Sequence, residues 1–160
     1  MAKKTIVAIS VMLLITVTSL PNVSHADKAG QARVASYRLS IEQRDGKCAI
    51  KYDGRHKGEI TFDIPPPCEF VRDYAGNAQR RRYKNKKPSG SGFYDVILVV
   101  GGPLDESRSD KLMKDGCGTK VQAVSLSPRG VTLGAVGTDM LVCPSDHLDE
   151  KVFGFLAKPN

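Results

Sequence analysis

A chain of 160 residues, 41% of them hydrophobic, is long enough for one folded domain with a real core. Its net charge of +7 at pH 7 leaves acidic protein faces, anionic lipid and nucleic acid open as partners. Beyond residue 26 no apolar stretch reaches the roughly 18 residues a membrane-crossing helix needs, which argues against stable membrane insertion of the mature chain.

Residues 1–26 have the parts of a cleaved export signal in order. Lys3 and Lys4 begin it, residues 6–20 are apolar, and Ser24-His25-Ala26 gives a small-x-small site before Asp27. No cysteine lies near that site, so a lipid anchor is not expected. The form suits bacterial export to the periplasm or medium, although a eukaryotic secretory signal has a similar look. Residues 27–160 are then expected to form a single disulfide-stabilised, β-rich domain.

Tyr37, Leu39 and Ile41 alternate with polar residues, the period of a half-buried strand. Asp45-Gly46 is a strong two-residue hairpin signal, because a type I′ turn needs positive φ at both positions. A two-residue loop pairs Arg44 with Lys47 and sets Gln43 opposite Cys48, Ile41 opposite Ile50 and Leu39 opposite Tyr52. That register collects the apolar residues on one face. A further strand is expected through Ile60, Phe62 and Ile64, ended by Pro65-Pro66-Pro67, since proline cannot donate to a ladder. Residues 68–73 are expected to form another, anchored by Phe70.

Arg80, Arg81, Arg82, Lys84, Lys86 and Lys87 form a basic run, read as a solvated loop continuing into Pro88-Ser89-Gly90-Ser91-Gly92. Residues 93–100 are the most apolar part of the mature chain, with apolar side chains at both strand parities. Such a strand is expected to be central and covered on both faces. Ser107-Arg108-Ser109-Asp110 has capping-box spacing and Gly116 offers a stop, so a short helix is expected there. Strands are expected over 119–126 and 131–136, joined by the turn Ser127-Pro128-Arg129-Gly130. A last short helical turn is expected within 145–155. The fold class is mainly β: a small antiparallel sandwich or partly closed barrel with one or two short helices and two disulfides.

Cys48, Cys68, Cys117 and Cys143 all follow the signal, and an even count in an exported chain reads as disulfides. Cys48–Cys68 with Cys117–Cys143 is favoured, because each links neighbouring parts of a meander. Cys48–Cys143 with Cys68–Cys117 is the main rival. A zinc site is not expected, because there is no Cys-x-x-Cys pair and exported thiols oxidise. Gly101-Gly102-Pro103 lacks the phosphate-loop patterns, and no cofactor is expected.

His56 sits in a cationic turn and reads as an exposed turn residue. His147, with Asp146, Asp149 and Glu150, has the residue types of a divalent-cation site or an acid–base pair. The same acids also suit the first turn of a short helix, where carboxylates favour the helix dipole. A small hydrolase using residues 146–150 is therefore a third reading of the function.

Ser89-Gly90-Ser91-Gly92-Phe93-Tyr94 resembles the Ser-Gly-rich loop followed by an aromatic that marks bacterial periplasmic lysozyme inhibitors. The resemblance is confined to this loop. The tryptophan-containing motif of the membrane-bound and periplasmic C-type inhibitors is missing, since the chain has no tryptophan. It implies a small β-fold projecting the loop into a hydrolase cleft, with Ser89, Ser91 and Tyr94 as the residues carried over. The expected function is thus an exported, non-enzymatic binding protein, an inhibitor or immunity-type protein against a cell-wall hydrolase, acting on a protein partner. The alternative is a basic-loop binder of lipopolysaccharide, anionic lipid or DNA. Both place binding on residues 80–92, with Tyr94 added by the resemblance, and expect Arg80, Arg81 and Arg82 to be replaceable without unfolding.

Overall fold

The computed structural model describes residues 30–85, 92–102 and 116–158. Asp45 and Gly46 take φ of 52° and 70°, the positive pair a type I′ turn demands. They fold strand β2 (Tyr37–Arg44) onto β3 (Lys47–Asp53). The register is the one the alternation predicts, with Gln43 opposite Cys48, Ile41 opposite Ile50 and Leu39 opposite Tyr52. Strand β1 (Gln31–Val34) joins β2, and β4 (Gly58–Thr61) joins β3, giving a four-stranded antiparallel meander.

The second sheet has five strands: β5 (Glu69–Phe70), β6 (Arg80–Lys84), β7 (Phe93–Gly101), β8 (Lys120–Ser127) and β9 (Gly130–Gly137). One edge of β7 is taken by β8. The other is shared end to end: β5 pairs with Val99 and Val100, and β6 pairs with Phe93 to Ile97. Both faces of β7 are covered too. Ile97 and Val99 enter the core between the two sheets with Ile50, Phe62 and Phe70. Val96, Leu98 and Val100 enter a second core, closed by Phe153 and Leu156 of the helix α1 (Glu150–Leu156). The apolar residues at both parities of β7 are thus explained by two cores, one on each face.

Two disulfides reinforce this arrangement. Cys48 in β3 bonds Cys68, just ahead of β5, and so ties one sheet to the other with Cα atoms 6.3 Å apart. Cys117 bonds Cys143 beside the isolated Gly118–Val142 bridge, fastening the entry to β8 to the segment beyond β9. This is the favoured pairing. Disulfides of this kind belong to an oxidising, extracytoplasmic compartment. Among the described residues no helix is long and apolar enough to cross a membrane.

The sheets are open and stack as a sandwich, so the barrel alternative falls. The strand expected through Ile64 ends at Thr61, because the Asp63 N–H leaves the ladder for the Gln122 side chain at 2.9 Å. Phe62 and Ile64 stay buried all the same. The strand expected over 68–73 shrinks to Glu69–Phe70 and a bridge between Arg72 and Ala78. The helix expected near Ser107 and the signal segment lie outside the described residues.

Candidate functional site

The basic run is not a loop. Its first five residues form β6, and strand geometry sends their side chains alternately to opposite faces. Arg81 and Tyr83 share the helix face. Arg81 stacks its guanidinium 5.5 Å from the centre of the Phe153 ring and pairs with Glu150 at 3.2 Å. Tyr83 packs into the second core beside Tyr94, with ring centres 5.7 Å apart. Arg80, Arg82 and Lys84 share the other face and are exposed. The run therefore presents alternate cations, and Arg81 is a structural residue. Lys86, Lys87, Ser89 and Ser91 lie outside the described residues. The chain on either side of them is joined by the Asn85 N–H, which donates to the Gly92 carbonyl at 2.9 Å.

Directly across from Arg82 stands Asp95, its side chain only 6% exposed, with Arg82 Nε 3.3 Å from its carboxylate. A carboxylate at such a depth needs its partner, so Arg82 is not a freely replaceable cation. The Arg82 guanidinium also lies 5.8 Å from the centre of the Phe93 ring, which is 56% exposed. These three side chains form one wall of a small open cleft of about 110 Å³ at this end of the sandwich. The opposite wall brings in Ser36 and Arg55 from turns of the first sheet, Tyr37 from the start of β2, and Pro128 from the β8–β9 turn. The Tyr37 hydroxyl donates to the Ser127 carbonyl at 3.0 Å. Burial raises its pKa, with the Arg55 charge working in the opposite direction. His56, read as a plain turn residue, has Nε2 3.0 Å from the Pro128 carbonyl, across the two sheets.

Two guanidinium groups against the single Asp95 carboxylate leave the cleft net positive, and with the exposed ring of Phe93 this suits a carboxylate or phosphate carried on an apolar body. Arg55 and Asp95 are the residues that sequence reading misses. Asp95 had a signal, an acid inside an otherwise apolar run. Arg55 had none, because only the stacking of the sheets brings it to β6.

The acidic segment is occupied with holding structure. Asp146 Oδ2 accepts from the Cys143 N–H at 2.7 Å. Asp149 Oδ1 accepts from the N–H groups of Lys151 and Val152 and caps α1. Glu150 pairs with Arg81. His147 stacks on Tyr74 with ring centres 4.5 Å apart. Among the described residues no three His, Cys, Asp or Glu side chains are grouped to hold a metal ion. Gln79, buried at the foot of β6, grips this segment from below: its Nε2 donates to the Leu148 carbonyl at 2.7 Å, and its Oε1 accepts the Leu148 N–H at 3.0 Å. Basic strand and acidic segment are thus one connected structure.

Comparison with protein-family models, with curated proteins and with solved structures finds no match to this chain.

Proposed function

We propose that this chain is an exported, non-enzymatic binding protein that holds a protein partner on the β6–β7 hairpin, in the manner of an inhibitor or immunity-type protein against a cell-wall hydrolase. The observation that carries the reading is the set of exposed side chains Arg80, Lys84 and Phe93 on a hairpin whose second strand is the most buried of the described strands. Exposed groups on an immobile support are what recognition needs, because little ordering cost remains to be met on binding. Carboxylates committed to caps and an ion pair weigh against a hydrolase built on residues 146–150.

A charge-driven contact with lipopolysaccharide, anionic lipid or DNA is the second reading, favoured by the spacing of Arg80, Arg82 and Lys84 along one exposed face. Salt separates the two, since screening weakens a purely ionic contact steeply. The test is a pull-down from periplasmic extract with the mature protein, washed at high salt, followed by a peptidoglycan-hydrolysis assay on any hydrolase retained. A partner held at high salt by the parent and lost from the Arg80→Ser/Lys84→Ser/Phe93→Ala variant supports the proposal. Retention of that partner by the variant overturns it.

A further inference from the structure

We infer that the outer edge of β6 takes an extended acidic segment of a partner protein as an added strand. This rests on the proposal that the β6–β7 hairpin is the binding element, and it states how the hairpin would bind.

The inference begins at the hydrogen bond from the Asn85 N–H to the Gly92 carbonyl. In an antiparallel ladder, directly opposed residues alternate between pairs that exchange both backbone bonds and pairs that exchange none. With Asn85 directed at Gly92, Tyr83 and Arg81 are directed at Tyr94 and Val96, their register partners. The N–H and C=O groups of Arg80, Arg82 and Lys84 then point away from β7. Among the described residues no strand pairs with that edge, since β6 is hydrogen-bonded to β7 alone. Along that edge the Arg80 carbonyl accepts a long 3.4 Å bond from the Arg81 guanidinium.

The residues with outward backbone groups are also the residues whose cationic side chains are exposed. That coincidence selects the occupant. A strand laid on this edge would form bonded pairs with Arg80, Arg82 and Lys84, and its side chains at those positions would lie on the same face as the three cations. Carboxylates there meet charge of the opposite sign. A second copy of β6 would set cation against cation, so the same charges discourage pairing of this edge with itself. Strand addition takes affinity from the backbone and specificity from alternate side chains, and here the specificity is for acid at every second position.

The probe is a fluorescein-labelled peptide alternating glutamate and valine, with a twin N-methylated at the glutamates. Methylation removes the donors that face β6 and leaves the charge unchanged. Fluorescence anisotropy at low salt should show the twin binding at least about tenfold more weakly, the worth of one or two backbone hydrogen bonds. On the protein, Lys84→Pro removes an outward N–H and no ladder bond, so it is compatible with an edge strand. It should weaken the unmethylated peptide by at least about tenfold, against roughly two- to threefold for Lys84→Ser, which loses only an exposed charge. Thermal melts of both variants should match the parent.

Equal binding of peptide and twin overturns strand addition, and does so even if Lys84→Pro fails to fold. Competition by phosphatidylglycerol vesicles as strong as by unlabelled peptide overturns it in favour of a charged surface. The pull-down separates this failure from failure of the underlying reading. A partner lost from Arg80→Ser/Lys84→Ser but kept by Lys84→Pro leaves the hairpin as the binding element and removes the added strand. A partner kept even by the Arg80→Ser/Lys84→Ser/Phe93→Ala variant removes the hairpin itself.

Discussion

Tyr83 buries its hydroxyl in the second core beside the Glu150 carboxylate, outside ordinary hydrogen-bond geometry. Burial first, then the neighbouring Glu150 carboxylate, pushes its ionisation upward. A pKa raised in the folded state favours the neutral phenol, so this contribution to stability is complete below the ordinary tyrosine value near 10 and is lost as pH climbs toward the folded value. Tyr83→Phe should therefore be neutral or slightly stabilising at pH 7 and should shift alkaline unfolding to higher pH, measured by thermal melts between pH 7 and 11. Some alkaline sensitivity will persist, because the Tyr37 pKa is raised as well. Gly46 is a second residue whose role is local. A Cβ there meets nothing within 4 Å, so only the positive φ resists substitution. Gly46→Val should cost roughly 1–3 kcal/mol through backbone strain alone, read as a lowered melting temperature. An unchanged melt would remove the type I′ turn from the account.

At the scale of elements, β6 divides into two kinds of residue. Arg80→Ser and Lys84→Ser should each alter stability by less than about 0.5 kcal/mol, the usual range for exposed charges. Arg81→Ala should cost more, about 1 kcal/mol, because its stem and guanidinium cover Phe153. Urea titration of the three variants orders them, and equal midpoints would show that Arg81 does not fasten β6 to α1. Charge hides this strand in the sequence. Period-two reading depends on contrast between apolar and polar neighbours, and Arg80 to Lys84 offers a single apolar body, Tyr83. The half-buried parity of Arg81 comes from a helix about seventy residues further along the chain. The first hairpin shows the opposite case: its turn, register and inward face are all local, and all were legible. Of the candidate site, Arg80, Arg82 and Lys84 could be named from sequence, whereas Tyr94, carried over by the loop resemblance, packs beside Tyr83 against the second core. The division of the basic run between two faces could not be named, nor could the cleft, because both depend on how the two sheets stack.

For the molecule as a whole, the two disulfides act on different contacts. Cys48–Cys68 spans the sandwich, and Cys117–Cys143 closes one end of the second sheet. Thiol labelling of the denatured, unreduced protein should give almost no signal, and stoichiometric labelling would contradict both bonds. Replacing the Cys48–Cys68 pair with alanines should cost roughly 2–4 kcal/mol, seen as a lower urea midpoint. Beyond Cys143 the chain runs without strand or helix until α1, and such a stretch ordinarily trades its amide protons quickly with solvent. The Gln79 clamp changes that. Leu148 gives its N–H to a side chain anchored inside the second sheet, so that proton is released only when β6 itself lifts away. In deuterium oxide, Leu148 should keep its proton as long as the amides of β6 do, while its exposed neighbours His147 and Asp149 lose theirs early.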